Sequence, residues 1–298
     1  MTQLLDSVQL YLDSTLDVSK SRVWINSGIQ QPTADHFPNL AFSKDAYIPQ
    51  DTWQELSSEQ SKTLITHRQA SDYSRTVGIF SVPDHILAPL RQLNISQLTP
   101  DDNHQLSTPE YGKATEPILT FFKSHCNKGE PTLAGIGISW PNLPTVTINP
   151  TAGHYIGLHL DSWDRLPLQY RHQSTNRICI NLGESDRHFL FINLTLIDML
   201  IVLRHPEFLP ENSLKISRQV QWKGRNLFYK NRLSLSKVSP LTLKNAFAKR
   251  YPNYPVIKVR ISPGEAYIAP TENILHEGST LDQNHSDVQL TIRGHFKL

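Results

Sequence analysis

Cysteine is almost missing from this chain: Cys126 and Cys179 are the only two in 298 residues. Two cysteines make no disulfide framework, and neither has a second ligand spaced beside it for zinc. Both are expected to be buried thiols. Net charge is also nearly absent. Lys plus Arg is 29 and Asp plus Glu is 27, leaving a formal charge of +2. Without a strong positive balance, no nucleic-acid partner is expected. Long apolar runs are lacking too. The most apolar stretch, 189–203, is interrupted by Asn193, Thr195 and Asp198, so it is too short and too polar to span a bilayer, and no membrane partner is expected. The opening segment MTQLLDSVQLYLDSTL is acidic and has no basic n-region or cleavage site. No signal peptide is therefore expected, and a cytoplasmic location is.

What is present is proline and β-branched texture. Twenty prolines and 19% charged residues, against a usual share of about 25%, favour strands and ordered loops over a helical array. One elaborated domain spanning 1–298 is expected. Residues 1–131 read as a mostly helical region packed on a core. The spacing of Leu4, Leu5, Val8, Leu12 and Leu16 is roughly helical. From Thr132 the runs become β-rich. Strands are predicted at 135–140, 145–149, 155–161, 177–182, 189–194, 256–261, 265–269 and 288–298. An insert at about 196–250 separates two groups of them, with helical 196–204 and 241–250 and an extended 215–222. The fold class is α+β with a mainly β core, and the number and spacing of strands suggest a jelly roll or barrel. The insert also carries the basic cluster Lys223, Arg225, Lys230, Arg232 and Lys237, an ordinary solvated face or an attractor for an anionic substrate.

One constellation carries chemistry. In His154–Asp161, Ile156, Leu158 and Leu160 alternate with Tyr155, Gly157, His159 and Asp161. In a strand, His159 and Asp161 then share a face and can bind one metal ion. A distant second histidine would complete a two-His, one-carboxylate set with open positions, the ligand set of mononuclear non-haem Fe(II) oxygenases. The tripeptide alone is weak, since composition predicts about one chance match to His-x-Asp/Glu and the chain holds three. Context separates them. His205 runs into Pro206, and His285 lies in a polar loop, whereas His159 sits in an alternating run beside Gly157, where close backbone approach is tolerated. The candidate distal ligand is His276, after a Pro-Gly turn, a short strand and a Pro-containing turn. Arg293 follows on an alternating strand, on the face of Thr291, where a guanidinium can hold a carboxylate bidentately with help from the hydroxyl.

The order His159-x-Asp161, His276, Arg293 resembles the Fe(II)/2-oxoglutarate-dependent oxygenase superfamily over residues 132–298. The resemblance implies a double-stranded β-helix core (jelly-roll, cupin-like) with Fe(II) on His159, Asp161 and His276. It implies 2-oxoglutarate as cosubstrate and O2 as oxidant, with succinate and CO2 as products. It also implies a basic residue, Arg293, holding the cosubstrate carboxylate. Many members carry Arg-x-Ser, whereas Gly294 and His295 follow Arg293 here, so Thr291 would replace the serine. Arg177 is the rival arginine, and Asn181 on its strand is a further cosubstrate candidate. A carboxylate at position 161 argues against an oxidative halogenase. Hydroxylation of an unactivated C–H in a small molecule, such as an amino acid or specialised metabolite, is the expected activity, with desaturation or cyclisation as variants. Trp163, Asp164, Arg165 and Tyr155 are candidates for the substrate mouth. The alternatives are a protein or peptide hydroxylase on the same core and a non-catalytic cupin-like binding protein.

Overall fold

The computed structural model describes residues 4–17, 19–33, 35, 37–68, 73–204 and 238–297. Alternation shapes its last strand. In β15 (Asp287–Phe296), Val288, Leu290 and Ile292 are fully buried on one face, while Gln289, Thr291 and Arg293 are partly buried on the other. The apolar face packs beneath α2 (Asp84–Gln92) and α3 (Pro109–Lys123). Helix α3 fits because Tyr111, Ala114, Ile118 and Phe122 recur at helical spacing, and Pro109 supplies its first turn.

β15 lies between β8 (Cys126–Ser139) and β10 (Asn176–Asn181). The same seven-stranded sheet continues through β13 (Glu265–Ala269), β7 (Thr76–Ser81), β1 (Gln9–Leu12) and β6 (Ile65–Thr66). A five-stranded sheet runs β14 (Ile274–Ser279), β11 (Arg187–Thr195), β12 (Ile257–Ile261), β2 (Val23–Ile25), β5 (Gln54–Glu55). A three-stranded sheet holds β3 (Ile29–Gln30), β4 (Phe42–Pro49) and β9 (Tyr155–Gly157). Phe189, Phe191, Val259, Cys179 and Tyr267 fill the space between the two larger sheets. On the opposite face of β11, Leu190, Ile192 and Leu194 join Phe247 of α5 (Pro240–Arg250) and the buried face of α4 (Leu196–Arg204). Along the chain, β8, β10, β13 and β15 belong to the larger sheet, and β11, β12 and β14 to the smaller, so successive strands cross the core repeatedly.

Several expectations need correction. The 1–131 stretch is not mostly helical. Beside α1 (Ser58–Leu64), α2 and α3, its described residues form strands β1 to β7 and the start of β8. The leucine-rich start forms β1, with Val8 and Leu10 fully buried, because period two fits that segment as well as period 3.6. The core begins at Cys126 rather than Thr132. Residues 145–149 form no strand, only the bridge between Ile148 and Tyr155. The strand at 155 stops at Gly157, and β14 was not expected at all. The extended 215–222 segment and the basic cluster from Lys223 to Lys237 lie outside the described residues. Among the described residues no helix is long and apolar enough to cross a membrane.

A cavity of about 510 Å³ lies against the outer face of the five-stranded sheet, lined by His188, Leu190, Lys258, Trp53 and Leu281 among others. None of His159, Asp161 or His276 lines it. Burial, and then the charge of Lys258, pushes the His188 imidazole down to about 4. The folded state therefore keeps His188 neutral where the unfolded chain protonates near pH 6.5. Its contribution to stability is complete above that value and is lost as pH falls toward 4. A loss of about 2 kcal/mol between pH 7 and pH 5 is expected from this residue. Urea midpoints of the wild type and of His188→Gln at the two pH values measure it, and the variant should show the smaller drop.

Candidate metal centre

Backbone pairing brings the three predicted ligands together. The amide of His159 donates to the carbonyl of His276 at 3.0 Å, and the amide of His276 donates back to His159, also at 3.0 Å. Residues that exchange both hydrogen bonds in an antiparallel pair project to one face. The two imidazoles accordingly lie with ring centroids 4.5 Å apart, and Phe189 of β11 backs His276 at 5.9 Å. The amide of Asp161 donates to the carbonyl of Thr271 at 3.1 Å, which holds the chain against the turn that leads into β14. On its other side the segment is pressed against β4 at Gly157. That glycine has a φ of +61°, and a Cβ there would stand 2.2 Å from the Tyr47 carbonyl.

Asp161 Oδ1 lies 3.7 Å from His159 Nε2 and 3.8 Å from His276 Nε2, and one ligand atom from each residue falls within 4.8 Å of the others. Facing Asp161 Oδ1 across this point, the buried His276 Nε2 has no hydrogen-bond partner. A buried ring nitrogen is rarely left so, and a divalent cation between His276 Nε2 and Asp161 Oδ1 would satisfy it. The nitrogen–oxygen donor set suits Fe(II) among other transition metals.

The electrostatics are divided. Burial opposes the charged form of His159, but Glu277 and then Asp161 outweigh it and hold the imidazole up at about 10. Burial and the neighbouring His159 push His276 down to about 3. Against burial, His276, His159 and Arg177 hold the Asp161 carboxyl well below its usual range. A cation entering here therefore displaces a proton from His159.

The two arginines differ in what they face. Arg177 Nη1 is 3.6 Å from Asp161 Oδ2, and its Nη2 lies 3.4 Å from the Thr291 hydroxyl. Arg177 and Thr291 thus meet beside the triad. Arg293 is committed elsewhere. Its Nη2 reaches Asp164 Oδ1 at 2.8 Å and Glu272 Oε1 at 3.1 Å and touches the Thr175 hydroxyl, and the guanidinium lies 5.0 Å from the Trp163 ring. Glu272, almost fully buried, also accepts from the amides of Trp163 and Asp164 and from Arg171. This network ties the 161–175 segment to the strand face carrying Arg293.

Of the other predicted residues, Trp163 is 56% exposed, and Asp164 faces Arg293 rather than open solvent. Arg165 occupies a left-handed backbone position, φ 52°. Tyr155 packs on Phe42 at 5.9 Å. Asn181 is not part of the cluster. It closes the turn after β10, donating to Ser185 and Ile261 and accepting from the Gly183 amide, about 13 Å along the strand from Arg177. Two carboxylates escaped the sequence reading, Glu272 and Glu277. Both lie beside residues that did draw attention, but an acidic side chain in a short segment carries no sign that it will be buried.

No family model matches the chain, and no curated protein does. Among solved structures it is similar to the Kdo hydroxylase KdoO, a non-heme Fe(II) alphaketoglutarate-dependent dioxygenase in complex with alphaketoglutarate and Fe(III), at 15% identity over 75% of this chain and 80% of that one, with a TM-score of 0.38. It is also similar to the non-heme iron oxygenase OrfP in complex with Fe, succinate and (3S)-hydroxy-L-Arg, at 14% identity over 74% of this chain and 76% of that one, with a TM-score of 0.34.

Proposed function

We propose that this chain is an Fe(II)/2-oxoglutarate-dependent oxygenase on a double-stranded β-helix core, hydroxylating an unactivated C–H of a small molecule. The observation that carries the reading is the triad His159, Asp161 and His276, with both Nε2 atoms within 3.8 Å of Asp161 Oδ1 and His276 Nε2 buried without a hydrogen-bond partner. The crossing of successive core strands between two sheets supports the jelly-roll assignment.

In this reading His159 and His276 contribute neutral imidazole nitrogens and Asp161 contributes the anionic ligand. Fe(II) held there would supply the oxidising chemistry, consuming O2 and converting 2-oxoglutarate to succinate and CO2. The chain's own task is positioning. Arg177, fixed by strand β10, pairs with the far carboxylate of the 2-oxo acid, and the Thr291 hydroxyl assists it. Arg293 instead anchors the 161–175 segment, leaving Trp163 at the mouth to meet substrate. Arg177 thus replaces Arg293 as the preferred cosubstrate anchor.

Anaerobic titration of the apoprotein with Fe(II) and then 2-oxoglutarate tests the assignment. A one-to-one visible charge-transfer band that His159→Ala abolishes is the expected result. A wild type without stoichiometric iron or band would overturn it. The two arginines separate in the same assay. Arg177→Met should weaken 2-oxoglutarate binding at least about 30-fold, roughly 2 kcal/mol, while leaving Fe(II) affinity equal or tighter, since a cation beside the site is gone. Arg293→Met should change 2-oxoglutarate affinity much less and alter turnover instead.

A further inference from the structure

Glu277 adjoins a proposed metal ligand in sequence and touches another in space. Its side chain is about 1% exposed. Thr145 Oγ1 donates to its Oε2 at 2.5 Å, Thr147 Oγ1 donates to its Oε1 at 2.8 Å, and the Gly278 amide donates to the same Oε1, also at 2.8 Å. Three donors from two segments hold the carboxylate in one orientation. Its Oε2 then lies 3.4 Å from His159 Nδ1. The same Nδ1 is 2.9 Å from the Gly157 carbonyl oxygen. Two acceptors therefore converge on Nδ1. That atom keeps its proton when the ring is neutral, so the proton a cation displaces is the one on Nε2, which faces Asp161 and His276.

The second histidine is not treated alike. Among the described residues, His276 Nδ1 has the Ile274 carbonyl, at 3.3 Å, as its hydrogen-bond partner. Of the two imidazoles, only His159 is backed by a carboxylate.

We infer that Glu277 is a positioning residue for the metal centre, fixing the tautomer and ring orientation of His159 and making it the stronger donor of the two imidazoles. The inference rests on the metal-binding reading above. A carboxylate behind a ligating imidazole raises its basicity, and loss of such a partner typically weakens metal binding about 10- to 100-fold. The bland alternative is that Glu277 merely ties the 145–147 segment to β14 through the two threonine hydroxyls. The two accounts predict different things, because Thr147→Val breaks part of that tie and leaves the carboxylate in place.

The test is a Co(II) titration, followed by the visible d–d bands and by chelator competition, on wild type, Glu277→Gln, Glu277→Asp and Thr147→Val. The wild type should bind one equivalent. Glu277→Gln should bind about 10- to 100-fold more weakly with shifted bands, Glu277→Asp should recover part of the affinity, and Thr147→Val should stay within about threefold of wild type. Equal affinity in wild type and Glu277→Gln would overturn the positioning role while leaving the metal site standing. No stoichiometric Co(II) in the wild type would remove the metal reading itself, and this inference with it. A second measurement needs no variant. In the zinc(II)-loaded wild type, long-range ¹H–¹⁵N NMR should show His159 protonated at Nδ1 with the metal at Nε2, and the opposite tautomer would overturn the proposal even if the Glu277 variants misfold.

Discussion

Asp161→Ala is expected to abolish stoichiometric Fe(II) binding and to lower turnover by about a thousandfold or more, some 4 kcal/mol of lost stabilisation at the reacting centre. Asp161 is the only anion of the triad, and its carboxylate lies between the two Nε2 atoms at 3.7 and 3.8 Å. Without it, two imidazoles and the Arg177 guanidinium, formerly 3.6 Å from the carboxylate, face one another, and the nearest carboxylate left is Glu277 on the far side of His159. A divalent cation then meets a site that has lost its one anionic ligand and keeps the Arg177 charge beside it. Asp161→Asn separates charge from shape. It keeps the volume and one oxygen but loses the anion, and its Fe(II) affinity should fall between wild type and alanine. Isotherms measured anaerobically, beside succinate production from 2-oxoglutarate, check both effects. Full Fe(II) stoichiometry in Asp161→Ala would exclude the carboxylate as a ligand.

Arg187→Met is expected to destabilise the fold by about 3–5 kcal/mol, a large part of the total stability of an ordinary domain. Arg187 opens β11 in the smaller sheet and Asp287 opens β15 in the larger. Their side chains are 3% and 1% exposed, and Nε lies 3.1 Å from Oδ1. The pair bridges the two sheets inside the core. Burial already pushes the Asp287 carboxyl up, against the opposing charges of Arg187 and Arg177. Without Arg187, its folded-state pKa rises further above the unfolded value. The unfolded chain then binds fewer protons than the folded one, and the variant gains stability relative to wild type as pH falls. Arg187→Met combined with Asp287→Leu removes both charges and should recover most of the loss. Thermal melts should show a drop of roughly 10 °C for the single variant and a much smaller one for the double. Equal losses in the two would mean that the pair is not coupled.

The site was more legible in the sequence than the N-terminal fold. His159 and Asp161 stood out through local alternation, and β10, β11, β12, β13 and β15 carry enough β-branched residues to be read directly. β14 was not readable. Every residue from Ile274 to Ser279 is buried, so neither alternation nor an amphipathic face exists there. β1 was misread because Leu4, Leu5, Val8 and Leu12 satisfy a helical spacing while Val8, Leu10 and Leu12 satisfy a strand. Only pairing with β7 and β6 decides between them. Arg293 was placed on the correct face, yet its partners Asp164, Thr175 and Glu272 arrive from two other segments. Local pattern cannot report what a side chain meets from elsewhere in the chain.

The reciprocal backbone pair between His159 and His276 also bears on how the molecule is made. It joins positions 117 residues apart, and β15, latest of the core strands, inserts between β8 and β10. Closing loops of that length is entropically costly before any contact rewards it, so folding of this chain should be slow and dominated by non-local pairing. During synthesis, a ribosome must release residues beyond 276 before the third ligand meets the other two. In the proposed metal reading, a divalent ion would gain its full ligand set only late and would stabilise the assembled fold by mass action rather than seed it.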